Sequence, residues 1–271
     1  MAALDLDAYF ARIGYDGPRA PTLAVLTETH RRHLAAIPFE AIEARLGRVV
    51  DVSPQGVDAK LINARRGGYC YEQNGLLKRA LEALGFRVDA LLARVTMHGG
   101  PDTPRPGRTH MTLSVEAEGG RYLVDAGFGA LVPAAPLRLD ARGPQQTRLG
   151  TFRLAPDGRE IALSIAEGDG WAPLYSASLE PQAQADVEIA NWFTSTHPQS
   201  FFRRAFAVAR VAETERYALF DDRLTVRRAD GSEERRRLTA PEIEAALPEL
   251  FRLAPQPEWR DLFAQATAAA A

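Results

Sequence analysis

The chain has 271 residues, 46% hydrophobic and 25% charged, with a net charge of −2; these are the proportions of a globular protein long enough for two or three compact parts. No global basic field points to nucleic acid or to an acidic membrane surface. The single cysteine excludes an intrachain disulfide and a cysteine-rich zinc site, and no apolar run approaches the ~18 residues of a membrane span. The opening Met-Ala-Ala-Leu-Asp-Leu-Asp lacks the basic and apolar regions of a secretion signal, so a cytoplasmic location is expected.

Residues 5–13 carry Leu6, Tyr9, Phe10 and Ile13 at helical spacing, and Gly14 closes that helix. Pro21 and Thr22 open a second helix, Leu23 to about Ala36, which stops before Pro38. His30 and His33 lie on one side of it. No His-Glu-x-x-His pattern surrounds them, so packing is the simpler reading and no metal is expected. In the apolar corner Ile37-Pro38-Phe39-Glu40, Glu40 is a candidate partner for Arg66, although a solvated glutamate is commoner. Residues 56–65 read as another helix.

Then comes Arg65-Arg66-Gly67-Gly68-Tyr69-Cys70-Tyr71-Glu72-Gln73-Asn74-Gly75. After the cysteine, Leu76, Leu77, Ala80, Leu81 and Leu84 keep helical spacing as far as Gly85. Cys70 therefore begins a helix just after a Gly-Gly turn, where unpaired N–H groups and the helix dipole favour thiolate over thiol. The two arginines add to this if they point inward. A small buried thiol fits the stretch equally well, and a catalytic reading needs a base from elsewhere.

Composition changes after residue 86. Residues 87–95 read as a strand, 96–107 as a Gly/Pro-rich loop, and Arg108 to Val115 as a strand with strict alternation. Met111, Leu113 and Val115 take one face; His110, Thr112 and Ser114 take the other. Glu118-Gly119-Gly120 is a hairpin signal, and the return strand runs Arg121 to Asp125. Further strands at Thr151–Leu154, Arg159–Ile165 and Trp171–Ser178 point to an antiparallel barrel or sandwich. A helix from about Ala185 to Thr194 follows. The C-terminal part alternates again over Arg203–Val211, Arg216–Phe220, Leu224–Arg228 and Glu233–Leu238, and two short helices near 241–252 and 257–268 close the chain. Arg235-Arg236-Arg237, the only dense basic run, reads as a strand with a solvated face.

A cysteine nucleophile needs an imidazole to take its proton and a third group to orient that imidazole. His110, on the polar face of a regular strand, is the best of five histidines, and Asp125 ends the next strand on the same face. Pairing centred on Gly119-Gly120 sets Asp125 opposite Ser114, four residues from His110, or roughly 13 Å along the sheet. A direct hydrogen bond then requires a register shift or a bulge.

Five stretches together resemble the arylamine N-acetyltransferase family over nearly the whole chain: Ile37-Pro38-Phe39-Glu40, Arg66-Gly67-Gly68-Tyr69-Cys70, Arg108-Thr109-His110, Val124-Asp125-Ala126-Gly127-Phe128-Gly129 and Thr196-His197-Pro198-Gln199-Ser200. The chain departs at Ala41-Ile42, where the family often has Asn-Leu. The resemblance implies an α+β fold with a cysteine-protease-like Cys-His-Asp arrangement. On this chain that is a helical domain over 1–86 carrying the nucleophile, an antiparallel β-barrel over 87–184 carrying His and Asp, and an interdomain helix with an α/β lid over 185–271. It implies Cys70, His110 and Asp125 as the triad, acetyl-CoA as acyl donor, and a small aromatic amine or hydrazine as acceptor. Coenzyme A is expected against Thr109, Gly127, Gly129 and the 196–202 segment, Phe202 included; Phe39, Tyr71 and Phe128 are expected as flat acceptor walls. The rivals are an amide synthase of the same superfamily acting on a carrier-bound acyl chain, a papain-like hydrolase or transglutaminase, and a non-catalytic ligand-binding barrel.

Overall fold

In the computed structural model, which describes residues 3–97, 99 and 103–268, the chain opens with α1 (Leu6–Ile13) and α2 (Leu23–Ala36). Positions 98 and 100–102 of the predicted 96–107 loop lie outside the described residues. Each helix starts at a side-chain cap: Asp5 accepts the Ala8 N–H at 2.9 Å and Thr22 that of Val25 at 3.3 Å. The apolar corner is a two-residue strand, β1 (Phe39–Glu40), flanked by Pro38, which keeps the chain extended before it. Short helices α3 (Ile42–Arg45) and α4 (Pro54–Val57) follow. Where a regular helix is predicted over 56–65, α4 instead runs into a π-helical turn, Asp58–Asn63. α5 (Cys70–Ala83) ends this part.

Eight strands then form one antiparallel sheet in the order β5-β4-β3-β2-β9-β8-β7-β6. They are β2 (Arg87–Val95), β3 (Arg108–Ala117), β4 (Gly120–Val124), β5 (Leu137–Arg138), β6 (Pro144–Thr147), β7 (Gly150–Asp157), β8 (Glu160–Glu167) and β9 (Gly170–Ser178). The edge strands β5 and β6 meet through one side chain. Gln145 accepts the Arg138 N–H at 2.7 Å and donates to the Arg138 carbonyl at 3.0 Å, so the sheet curls into a nearly closed barrel. Both faces of β3 are buried. Met111, Leu113 and Val115 pack on Leu76, Leu77 and Leu81 of α5, while the polar face points into a barrel interior filled by Leu91, Leu123, Phe152, Leu163 and Tyr175. That burial gives polar side chains on this face a reason to be bonded to one another.

α6 (Gln184–Thr196) and the single turn α7 (Phe201–Arg204) lead to β10 (Ala207–Val211), β11 (Glu215–Phe220), β12 (Arg223–Arg228) and β13 (Glu233–Arg237). The start of the strand predicted over 203–211 is thus the end of α7. β1 joins this second sheet at its edge, in the order β1-β10-β11-β12-β13, so the helical part and the C-terminal part share a sheet. α8 (Ala240–Phe251) and α9 (Arg260–Ala268) cover it, burying Phe206, Leu219, Ile243, Leu247, Phe251, Trp259 and Phe263. Among the described residues no helix is long and apolar enough to cross a membrane.

Candidate active site

Cys70 is the first residue of α5, as its spacing predicts, and is 3% exposed. The turn before it is held by the backbone: Gly68 donates to the Pro38 carbonyl at 3.2 Å and accepts from the Glu40 N–H at 3.1 Å. Below the turn lies a buried ionic network. Arg66 Nη2 meets Glu40 Oε1 at 2.7 Å and Nη1 meets Glu43 Oε1 at 2.6 Å; Lys60 meets Glu72 Oε1 at 2.7 Å. Glu72 also accepts the Tyr69 N–H at 3.1 Å, closing the helix start. The pairing of Glu40 with Arg66 is therefore present. The arginines do not turn toward the thiol: Arg66 is neutralised by two glutamates and Arg65 faces solvent. The Glu40 carboxylate also receives the Ile42 N–H at 2.9 Å, a contact that the backbone makes whatever side chain follows.

His110 and Asp125 come together. His110 Nε2 lies 2.7 Å from Asp125 Oδ2, and both residues are buried. The other ring nitrogen, Nδ1, is left on the side of Cys70, whose sulfur lies near enough to favour the protonated ring. The hairpin turns one residue earlier than the simple register: Ala117 pairs with Gly120, and Glu118 and Gly119 both take positive φ, 46° and 75°. A bulge also places Thr109 between the pairs Ala93–His110 and Arg94–Arg108. Burial alone would strip the His110 proton, but the Asp125 carboxylate and the Cys70 sulfur outweigh it and raise the pKa to about 10. For Asp125 burial acts upward, and His110 and three hydrogen bonds hold its carboxyl below the usual range.

Sequence reasoning missed the residues that hold Asp125. Its Oδ1 accepts from Asn74 Nδ2 at 3.1 Å and from the Gly127 N–H at 2.7 Å. Asn74 also donates to the Met111 carbonyl at 2.7 Å and accepts from the Ala126 N–H at 2.9 Å. His30 Nε2 donates to the Asp125 carbonyl at 2.8 Å, and burial drives its pKa down to about 4, so the ring is neutral. A signal was available: Gln73 and Asn74 fall on the Cys70–Leu77 face of α5 and are fully buried polar groups on an apolar stripe.

The triad opens on a cavity of about 1020 Å³. Of the sequence-derived candidates, Cys70, His110, Thr109, Gly127, Gly129, Phe39, Phe128 and Phe202 line it. Asp125 stands behind His110. Tyr71 is not in the wall; it is buried, with its ring edge on Tyr69 at 5.3 Å and its hydroxyl 3.2 Å from Thr194 Oγ1. Phe128 packs edge-on to His110 at 4.9 Å and to Tyr175 at 5.0 Å. Gly127 has no space for a side chain, because a Cβ there would stand 2.9 Å from Cys70 Cβ and from Asn74 Nδ2. Arg235, Arg236 and Arg237, on the exposed strand β13, line the outer part of the same cavity with Arg223 and Arg227. The sequence marks that run as basic, but only the fold brings it to the cavity. Among the described residues no group of three or more His, Cys, Asp or Glu is placed to hold a metal.

A thiol at a helix start, an imidazole bonded to a buried carboxylate, and an apolar cavity over both are the parts of a cysteine-dependent acyl-transfer catalyst. A family model described as N-acetyltransferase matches residues 22–258. The chain is 42% identical to an arylamine N-acetyltransferase of Mycolicibacterium smegmatis over 92% of each chain. It is 38% identical to one of Escherichia coli, covering 76% of this chain and 72% of that one. Its fold matches the solved structure of Mycobacterium marinum arylamine N-acetyltransferase in complex with CoA with a TM-score of 0.88 at 40% identity, covering 92% of this chain and 93% of that one. The chain belongs to the arylamine N-acetyltransferase family.

Proposed function

We propose that the chain transfers acetyl groups from acetyl-CoA to aromatic amines and hydrazines through an acetyl-Cys70 intermediate. The observation that carries this reading is the His110–Asp125 bond of 2.7 Å beside a thiol at the base of a large, mostly apolar cavity. Asp125 fixes the ring with Nε2–H toward itself, so Nδ1 takes the thiol proton. The thiolate attacks the acetyl-CoA carbonyl, the carbon–sulfur bond to CoA breaks, and His110 returns its proton to the leaving thiolate. The amine nitrogen then attacks the acetyl-Cys70 carbonyl. Its proton passes to His110 and on to the Cys70 sulfur as the amide is released. One thioester is exchanged for another in the first half, and amide formation pulls the second half forward.

Thr109, Gly127, Gly129 and Phe202 are proposed to contact CoA along the cavity, and the arginines of β13 to meet its phosphates at the mouth. Phe39 and Phe128 are proposed as walls for the acceptor ring. The test is a steady-state analysis with acetyl-CoA and an aromatic amine varied together. Parallel double-reciprocal lines and acetylated amine as product are expected. Release of free acetate at the same rate with and without amine would instead make the chain a thioesterase.

A further inference from the structure

A second cavity, of about 270 Å³, shares no lining residue with the catalytic one. Three guanidiniums from separate parts of the chain meet there: Arg12 from α1, Arg65 from the loop before the nucleophile, and Arg252 from the end of α8. No acidic side chain lines it. Arg12 is 6% exposed and donates only to carbonyl oxygens: Nε to Leu61 and Nη1 to Ala36 at 2.8 Å, Nη2 to Arg65 and Arg66 at 3.3 Å. Its five N–H groups thus meet four neutral acceptors. Among the described residues the side chains of Arg65 and Arg252 have neither a hydrogen bond nor an ion pair. Arg66 and Arg79, by contrast, are matched with acids, Arg66 with Glu40 and Glu43 and Arg79 with Asp58. Here the positive charge is uncompensated. Burial, with Arg65 and Arg252 beside it, brings the Arg12 pKa down to about 10.

We propose that this cavity binds a tetrahedral oxyanion of the phosphate class, either free or as the terminal group of a small phosphate ester. Guanidinium forks match phosphate oxygens in pairs. The volume has room for a phosphoryl group and several waters at about 30 Å³ each. Because Arg12 also holds the carbonyls of Arg65 and Arg66, the bound anion steadies the segment that leads into Cys70.

The test is thermal unfolding of the whole chain at constant ionic strength, with inorganic phosphate replacing chloride. A saturable rise in melting temperature is expected. Arg65→Gln and Arg252→Gln alter exposed side chains, and each should weaken the apparent affinity about tenfold, the effect of one charge-assisted hydrogen bond; together they should abolish it. Arg236→Gln and added CoA should leave the phosphate effect intact. Glycerol phosphate run in parallel separates the sources: tighter binding than inorganic phosphate identifies an ester, equal or weaker binding the free anion. If the effect survives Arg65→Gln with Arg252→Gln but is lost in Arg236→Gln or on adding CoA, the anion sits in the catalytic cavity and the proposal fails. It fails equally if phosphate does no more than chloride.

Discussion

Nε2 of His110 lies 2.7 Å from Oδ2 of Asp125 although the two residues are not cross-strand partners. With Leu113 opposite Val124, the chain beyond β4 carries Asp125 toward Thr112, two residues from His110, or about 7 Å along the strand. The end of β4 and the bulge at Thr109 allow the side chains to close that gap. Asp125 reaches the imidazole while its other oxygen is pinned by Asn74 and Gly127.

Asp125→Asn keeps the Gly127 hydrogen bond but removes the charge that holds the His110 proton. Acylation of Cys70 by acetyl-CoA should fall by about 10²–10⁴, and alkylation of Cys70 by iodoacetamide at pH 7 should slow with it. Rapid-quench acylation and timed alkylation, followed by mass spectrometry, measure both. Near-normal rates would move the third role to another acid.

Gly127→Ala places a methyl group 2.9 Å from Cys70 Cβ and closer still to its Cα. Either the start of α5 or the backbone around residue 127 must shift, which disturbs the spacing between Cys70 and the residues around Asp125. A loss of about 1–3 kcal/mol in stability is expected, with a larger proportional loss of acylation than the melting temperature alone explains. Chemical denaturation and single-turnover acylation check this. A variant with wild-type values in both would show that the helix start tolerates displacement.

Much of this site was legible in the sequence because it rests on local rules. Leu76, Leu77 and Leu81 declared a helix, the glycines fixed where it begins, and strict alternation in β3 put His110 and Asp125 on one side. What stayed hidden depends on register and on partners remote in the chain. A shift of the hairpin by one residue moved Asp125 two positions nearer to His110. The bond from His30 to Asp125 spans 95 residues, and no periodicity encodes it. Strands β5 and β6 are two and four residues long, too short to carry an alternation signal. Tyr71, adjacent to the nucleophile, read as an acceptor wall, yet helical geometry turns position 71 about 100° away from position 70 and into the core.

Phe128 lies against both the His110 ring and Tyr175, and it also faces the cavity. Phe128→Ala should reorder aromatic amines with different ring substituents, at a cost of about 0.5–1.5 kcal/mol per lost aromatic pair beyond burial. Acylation should fall less than amine turnover, since the donor thioester needs no flat wall. Rates of the two half-reactions, measured separately, decide this. Equal losses with an unchanged acceptor ranking would place the ring on the donor side or in the core.

Burial drives His30 and His33 from 6.5 down to about 4 and about 3. The unfolded chain therefore binds more protons below about pH 6.5. Their contribution to stability is complete above that pH and is lost as pH falls toward 4. Glu72, pushed up by burial from 4.5 to about 6, opposes this over that interval but involves one proton against two. The melting temperature should fall between pH 6.5 and 4, and His33→Gln should flatten that limb. The same acid limb in wild type and His33→Gln would contradict the assignment of His33 as a buried neutral ring.

The central claim is that Cys70 carries the acyl group, and intact mass tests it most directly. The chain is mixed with acetyl-CoA alone, quenched in acid and weighed, with Cys70→Ala beside it. One added acetyl group is predicted, located on Cys70, absent in the variant and discharged when an aromatic amine is supplied. An unchanged mass, or equal acetylation of Cys70→Ala, would contradict the account.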